Sequence, residues 1–375
     1  MKADVGFSTL EEEKKAGKEA IESATESIEE PDLTFLFTTE FYEQSKVYGS
    51  IKEEIGDSQL LGFCGGGIIS PEGILEKGIG VGVLKGKNLQ VETVLEEGLD
   101  DAPNDAGIRA GEKLKKKFDS GTVVLLPDGF VPNLSEVVRG VYDAMGPNFN
   151  YMGGGTGDNL KFFKTFQFTE EDIKSGAISA AVLSGPEIGT SLGHGWKPRK
   201  ESLTITETEG KKILEIDGRP AFDIYSERLG DISLDEFEEY GMKHPLGIAD
   251  MAGNYTIRDP IDVDEDKNID LVTEMSEGSV AYIMESDMDD LIDKAGEVAR
   301  EARKEVPEPK FALLFDCISR TLLMDDKFKK ELKSIRESIG EDVPILGALT
   351  FGEIGSYSDV PLFHNKTVSC TVIGE

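Results

Sequence analysis

Asp316, Cys317 and Arg320 stand together at the end of the apolar run KFALLFDC, and Glu353 stands just past a second run, ILGALTFG. Ends of buried strands are where α/β proteins build sites. A guanidinium binds a carboxylate bidentately, which assigns Arg320 to a ligand carboxylate and Glu353 or Asp158 to a ligand amine. Cys317 is a nucleophile only if a base reaches it, and His364 or His194 supplies that base only by folding into place. Taken singly, Asp316 and Arg320 read as an internal ion pair and Cys317 as a small buried apolar residue. Their convergence at one sheet edge is what makes them a candidate site.

A second candidate is the loop YMGGGTGDNL, in which Gly153, Gly154 and Gly155 precede Asp158 and Asn159. A phosphate-binding P-loop needs Lys and Ser or Thr after its glycines, and a dinucleotide fingerprint needs GxGxxG between strand and helix. Neither this loop nor CGGGIISPEG fits, and Asp158 repels phosphate. Exposed backbone amides beside Asp158 and Asn159 suit an amine or carboxylate ligand instead. Glycines that only permit close backbone approach explain the first loop equally well. DVDEDKNID resembles a calcium loop, but Lys267 stands where the turn needs Gly and Thr273 where a bidentate Glu belongs, so it reads as a solvated acidic loop. Three scattered cysteines and three isolated histidines fit neither a disulfide framework nor a metal site.

The elements that must position these residues recur. LTFLFTTE, TVVLLPDG and KFALLFDC read as buried strands. Each is followed by an apolar stretch running into glycine (LLGFCGGG, NYMGGGTG, ILGALTFG) and then by a third strand (GIGVGVLKG, AISAAVLSG, TVSCTVIGE). Helical spacing precedes each first strand. Ser8 and Glu11 form a capping-box pattern before the first helix, and Ser286 caps the third. SEVVRGVYDAM and DKFKKELKSIRESI are amphipathic helices between first and second strands. The expected fold is therefore α/β, with α+β as the alternative. Mixed β-sheets are covered by helices, in about three helix-strand-helix-strand-strand units. LTITETEGKKILEIDG reads as a hairpin turning at Glu209 and Gly210, and a boundary near residue 200 divides the chain into 1–200, with two units, and 201–375, with the hairpin, further helices and the third unit.

The 375 residues carry 73 Asp and Glu against 40 Lys and Arg, a net charge of −33. Such a surplus repels nucleic acid and anionic membranes. The chain has no long apolar run and no signal-peptide core at its start, so it is expected to be soluble and cytoplasmic, in a reducing compartment.

With those residues in place, the chain resembles the FIST family of sensory domains. LFDCISR, ILGALTFGEIG and FHNKTV look like that family's C-terminal signature, and ADVGFS, FLFTT, the glycine loops and GHGWKP are similar to its N-terminal domain. The resemblance implies FIST N and FIST C domains and a small-molecule ligand, such as an amino acid. It adds His364 and Asn365 to Cys317, Arg320 and Glu353 as motif positions. No signalling domain is visible, so signalling would pass to a separate partner. No cofactor is expected. The alternative the family implies is haem-based nitric oxide sensing, with His194, His244 or His364 as axial ligand. A thiol-dependent hydrolase or transferase built on Cys317 is the further alternative. No catalytic residue is assigned.

Overall fold

A computed structural model describes residues 1–357 and 360–375. It is an α/β structure of four sheets and their covering helices. The apolar runs form central strands: Leu33–Thr39, Gly121–Pro127 and Pro309–Cys317 each pair in parallel with the strand that follows, Gln59–Gly65, Phe149–Gly154 and Ile345–Thr350. On the other side each pairs antiparallel with a third strand, Ile79–Lys85, Ala177–Ser184 or Val368–Gly374. An outer antiparallel strand completes each row: Lys2–Ser8, Gln90–Glu97 and Ile188–Gly193.

Alternation along the strands sorts their two faces. Phe35, Phe37 and Phe63 of the first sheet, Val124 and Leu126 of the second, and Phe311 and Phe315 of the third share one core. Phe35 stacks on Phe311 at 5.8 Å, and Phe37 meets Phe315 at 5.8 Å. Burying each such ring stabilises the fold by about 1.5–3 kcal/mol. The intervening residues face outward onto helices: Leu36 packs with the helix Glu13–Thr25, Leu125 with Pro103–Lys115 and Leu134–Met145, and Leu314 with Met288–Lys304 and Phe328–Ile339.

The glycine loops are crossing points between sheets. After Gly65 the chain leaves the first sheet, and the hairpin Ile68–Ser70/Gly73–Leu75 joins the third through Ile345–Thr350. Past Gly154 it leaves the second, and Gln167–Thr169/Ile173–Lys174 joins the first. Past Thr350 it leaves the third, and Glu353–Gly355/Leu362–His364 joins the second. Strand Ile188–Gly193 also belongs to the third sheet, so a cut near residue 200 runs through that sheet's contacts.

The fourth sheet carries the expected hairpin, Lys197–Glu209 with Lys212–Ile216, turning at Gly210 with φ of 59°. DVDEDKNID is the turn of a further hairpin, Pro260–Val263/Ile269–Leu271, with Asp264 accepting backbone N–H groups of Asp266 and Asn268. Two expected caps differ. Ser8 lies in the first strand and bonds Glu19, and the helix starts at Glu13 without a side-chain cap. Asp287, rather than Ser286, caps the helix Met288–Lys304 by accepting the Asp290 N–H at 2.8 Å. Ser286 instead donates to the Gly195 carbonyl.

Candidate ligand site at the crossing of the sheets

A cavity of about 360 Å³ opens where the strand ends of the second and third sheets meet the fourth sheet. Phe130, Phe162 and Phe351 form one wall, with Phe351 edge-on to both others at 5.4 Å. The polar wall is made by Lys211, Asp259, Cys317, Ser319 and Asn365. An apolar enclosure with a few converging polar groups is the usual form of a small-molecule site.

Each polar group has an identifiable mount. Cys317 ends the strand Pro309–Cys317, and Ser319 follows in the helix Ile318–Met324, with Sγ and Oγ 3.1 Å apart. Asp259 sits between two short strands and pairs with Lys366 at 3.1 Å, both buried. The Lys366 ammonium also lies 5.9 Å from the Trp196 ring. Asn365 donates to Thr273 Oγ1 at 3.1 Å, while its Oδ1 is buried without a partner among the described residues. Lys211 follows the hairpin turn, half-buried, and makes no ion pair among the described residues. Burial works against its charge and lowers its pKa, with Glu274 partly opposing.

The expected site residues divide into wall and scaffold. Cys317 and Asn365 line the cavity. Arg320 does not. It is fully buried and pairs with Glu331 at 2.5 Å and with Asp316 at 3.3 Å, and it donates to the carbonyls of His194, Lys366 and Leu291. With its donors spent inside the protein, its geometry fits a structural clamp and leaves no fork for a ligand carboxylate. Glu353 is equally buried, accepting from Thr350 Oγ1 at 2.8 Å and the Thr367 N–H at 3.1 Å. Burial above all raises the Asp316 and Glu353 carboxyls well above their usual range.

The glycine loop is also committed internally. Gly153 and Gly154 pair with Ile354 and Glu353, and the Gly155 N–H donates to the Gly352 carbonyl at 2.8 Å. A Cβ on Gly157 would stand 2.1 Å from Phe351. Asp158 accepts backbone N–H groups of Lys161, Phe162 and Phe163 at 2.9 Å and of Lys164 at 3.4 Å. Its carboxylate therefore shapes the segment that brings Leu160 and Phe162 to the cavity, and does not face a ligand amine. Asn159 is half-buried beside Leu160.

None of the three histidines is in the cavity wall. His194 Nδ1 accepts the Trp196 N–H at 2.8 Å and Nε2 faces the Tyr255 carbonyl at 3.1 Å, so both nitrogens are used. His364 Nε2 faces the Gly355 carbonyl at 3.3 Å, and its Nδ1 has no partner among the described residues. Burial lowers both rings to about 3. His244 packs on Tyr240 with Nδ1 near the Met284 carbonyl. Cys317 lines the wall, but burial, then Glu353 and Asp259, push its thiol up. This donor set does not fit an axial ligand for haem in the cavity, nor a ready thiolate nucleophile. Among the described residues no helix is long and apolar enough to cross a membrane.

Sequence reasoning missed Lys211, Asp259, Ser319, Lys366 and the three phenylalanines. Ser319 and Lys366 lie inside the quoted motifs CISR and HNKT, so a signal was present there. Lys211 and Asp259 carry no local pattern.

Among solved structures, a cyanuric acid hydrolase from A. caulinodans aligns over 100% of this chain and 99% of its own, at 8% identity and a TM-score of 0.33. A PurLQS structure from Thermotoga maritima gives 7% identity and a TM-score of 0.21 over 99% and 72%. Likeness at that level carries no argument. Sequence relatives are closer. An uncharacterised protein of Methanocaldococcus jannaschii is 24% identical over 91% of this chain and 73% of its own. An uncharacterised protein of Mycobacterium tuberculosis is 22% identical over 98% of both. The FIST N domain matches residues 32–219 and the FIST C domain residues 221–356. The chain belongs to the FIST family, whose domains are sensory and associated with signal transduction.

Proposed function

We propose that this protein senses a small metabolite with a carboxylate and an apolar body, an amino acid or a similar compound, bound in the cavity between its FIST N and FIST C segments. The observation that carries this reading is the pairing of an aromatic wall with two polar residues of the same cavity: Asn365, whose Oδ1 is buried without a partner among the described residues, and Lys211, which makes no ion pair among the described residues although the Glu274 charge acts on it. Lys211 takes the carboxylate, and Asn365 Oδ1 accepts from a ligand N–H where there is one. Phe130, Phe162 and Phe351 cover the apolar part. Arg320, Glu331 and Asp316 hold the wall from behind by fixing the Cys317–Met324 corner. Because Leu160 and Phe162 belong to one capped segment, occupancy changes what that segment presents to a signalling partner.

A thermal-shift screen of amino acids and related carboxylates at high salt tests the reading, since a ligand that binds only the folded chain raises its Tm. Lys211→Met is expected to weaken the hit roughly 10- to 100-fold, the range for losing a hydrogen bond to a charged group. Haem titration serves as the control. A shifted visible band lost on replacing one histidine would overturn the proposal in favour of gas sensing.

A further inference from the structure

The mouth of this cavity is apolar and faces water. Leu160 is 39% exposed, Phe162 64%, Ile261 52% and Leu322 50%, and all four line the cavity. Three separate segments supply them: the loop held by Asp158, the strand Pro260–Val263 and the helix Ile318–Met324. On a chain with a net charge of −33, a contiguous exposed apolar collar stands out. Such patches, rimmed by polar surface, mark binding sites.

The collar is continuous with the inner aromatic wall through Phe162, which packs on Phe130 and Phe351. Lys211 and Asn365 line the same cavity, and Asn365 Oδ1 is buried without a partner among the described residues. The cavity wall thus offers an amphiphile both polar groups and an apolar surface that runs from the inner phenylalanines to the exposed collar. A compact amino-acid side chain would fill the inner part and leave the collar in water.

We infer that the ligand class is an acyl-chain carboxylate whose chain passes out through the Leu160, Phe162, Ile261 and Leu322 collar. This rests on the reading that the cavity is the ligand site, and it narrows the ligand from carboxylates with an apolar body to those with an extended one. Lys211 supplies the charge that complements the carboxylate, and no covalent step is involved.

The test is calorimetric titration of the full chain at high salt with straight-chain carboxylates of four, six, eight and ten carbons, beside leucine and phenylalanine. Affinity is expected to rise about fourfold per added methylene, as for burial of a CH₂ group, until the chain clears the collar and the rise stops. Leu322→Ser is expected to flatten that rise among the eight- and ten-carbon acids. Equal affinity from four to ten carbons, or phenylalanine binding more tightly than the eight-carbon acid, overturns the inference and leaves the site reading standing. A rise with stoichiometry above one, or one that Leu322→Ser does not change, is adsorption and also overturns it. No binding by any of the six compounds overturns both.

Discussion

Arg320 shows how residue type can be legible while residue role is not. Its place beside Asp316 and Cys317 is plain in the sequence, but whether a guanidinium faces a ligand or its own protein depends on Glu331 and three carbonyls from distant segments. Removing it leaves buried carboxyls without their cation, so Arg320→Ala is expected to cost about 3–5 kcal/mol in urea unfolding. Lys211→Met is expected to leave unfolding unchanged within about 0.5 kcal/mol, as for a position outside the core. The histidines carry a pH signature. In the folded chain burial holds His194 and His364 near 3, against 6.5 for an ordinary ring. Between those values the unfolded chain binds more protons, so each histidine makes stability fall as pH falls, by up to about 1.4 kcal/mol per pH unit. Asp316, Glu353 and Asp259 act in the opposite sense, because their raised folded values favour the folded chain below the ordinary carboxylate range and that contribution is lost as pH rises. His364→Gln removes one histidine contribution. The Tm gap between variant and wild type should therefore narrow from pH 6.5 to 4.5, and a constant gap would contradict the assignment.

At the scale of elements, strands and helices were readable because their periodicities are local, whereas the glycine loops were not. CGGG and MGGGTG have the composition of ligand cradles, yet the Gly66 N–H donates to the Leu349 carbonyl, the Gly155 N–H to that of Gly352 and the Gly157 N–H to that of Cys64, each on a segment from elsewhere in the chain. Only the partner strand, far off in sequence, reveals that use. Gly157 is the sharpest case: a methyl there meets Phe351, which also forms the cavity wall. Gly157→Ala is expected to cost about 1–3 kcal/mol, the range for overpacking, and to weaken ligand binding with it. Asp158 acts through its loop. Asp158→Ala leaves four N–H groups without their acceptor, and hydrogen exchange at residues 161–164 should quicken roughly tenfold or more while the strand cores stay protected.

At the scale of the molecule, the described residues form three six-stranded sheets traced in one order around a shared phenylalanine core, and the cavity sits where two of them meet the fourth sheet. The sequence shows the apolar runs but not the exchange of hairpins, since pairing partners leave no mark in either strand. The net charge of −33 opposes the approach of any carboxylate ligand at long range. Salt screens that repulsion more than it weakens a half-buried contact to Lys211, so affinity should rise between low and high ionic strength. The central claim is that ligand binds in this one cavity, and the most direct measurement uses Leu322→Trp, a half-exposed mouth position where a larger side chain plugs the entrance without entering the core. The ligand-induced rise in Tm expected for the wild-type chain should vanish in this variant while the unliganded Tm stays the same. An undiminished rise would place the ligand elsewhere and contradict the account.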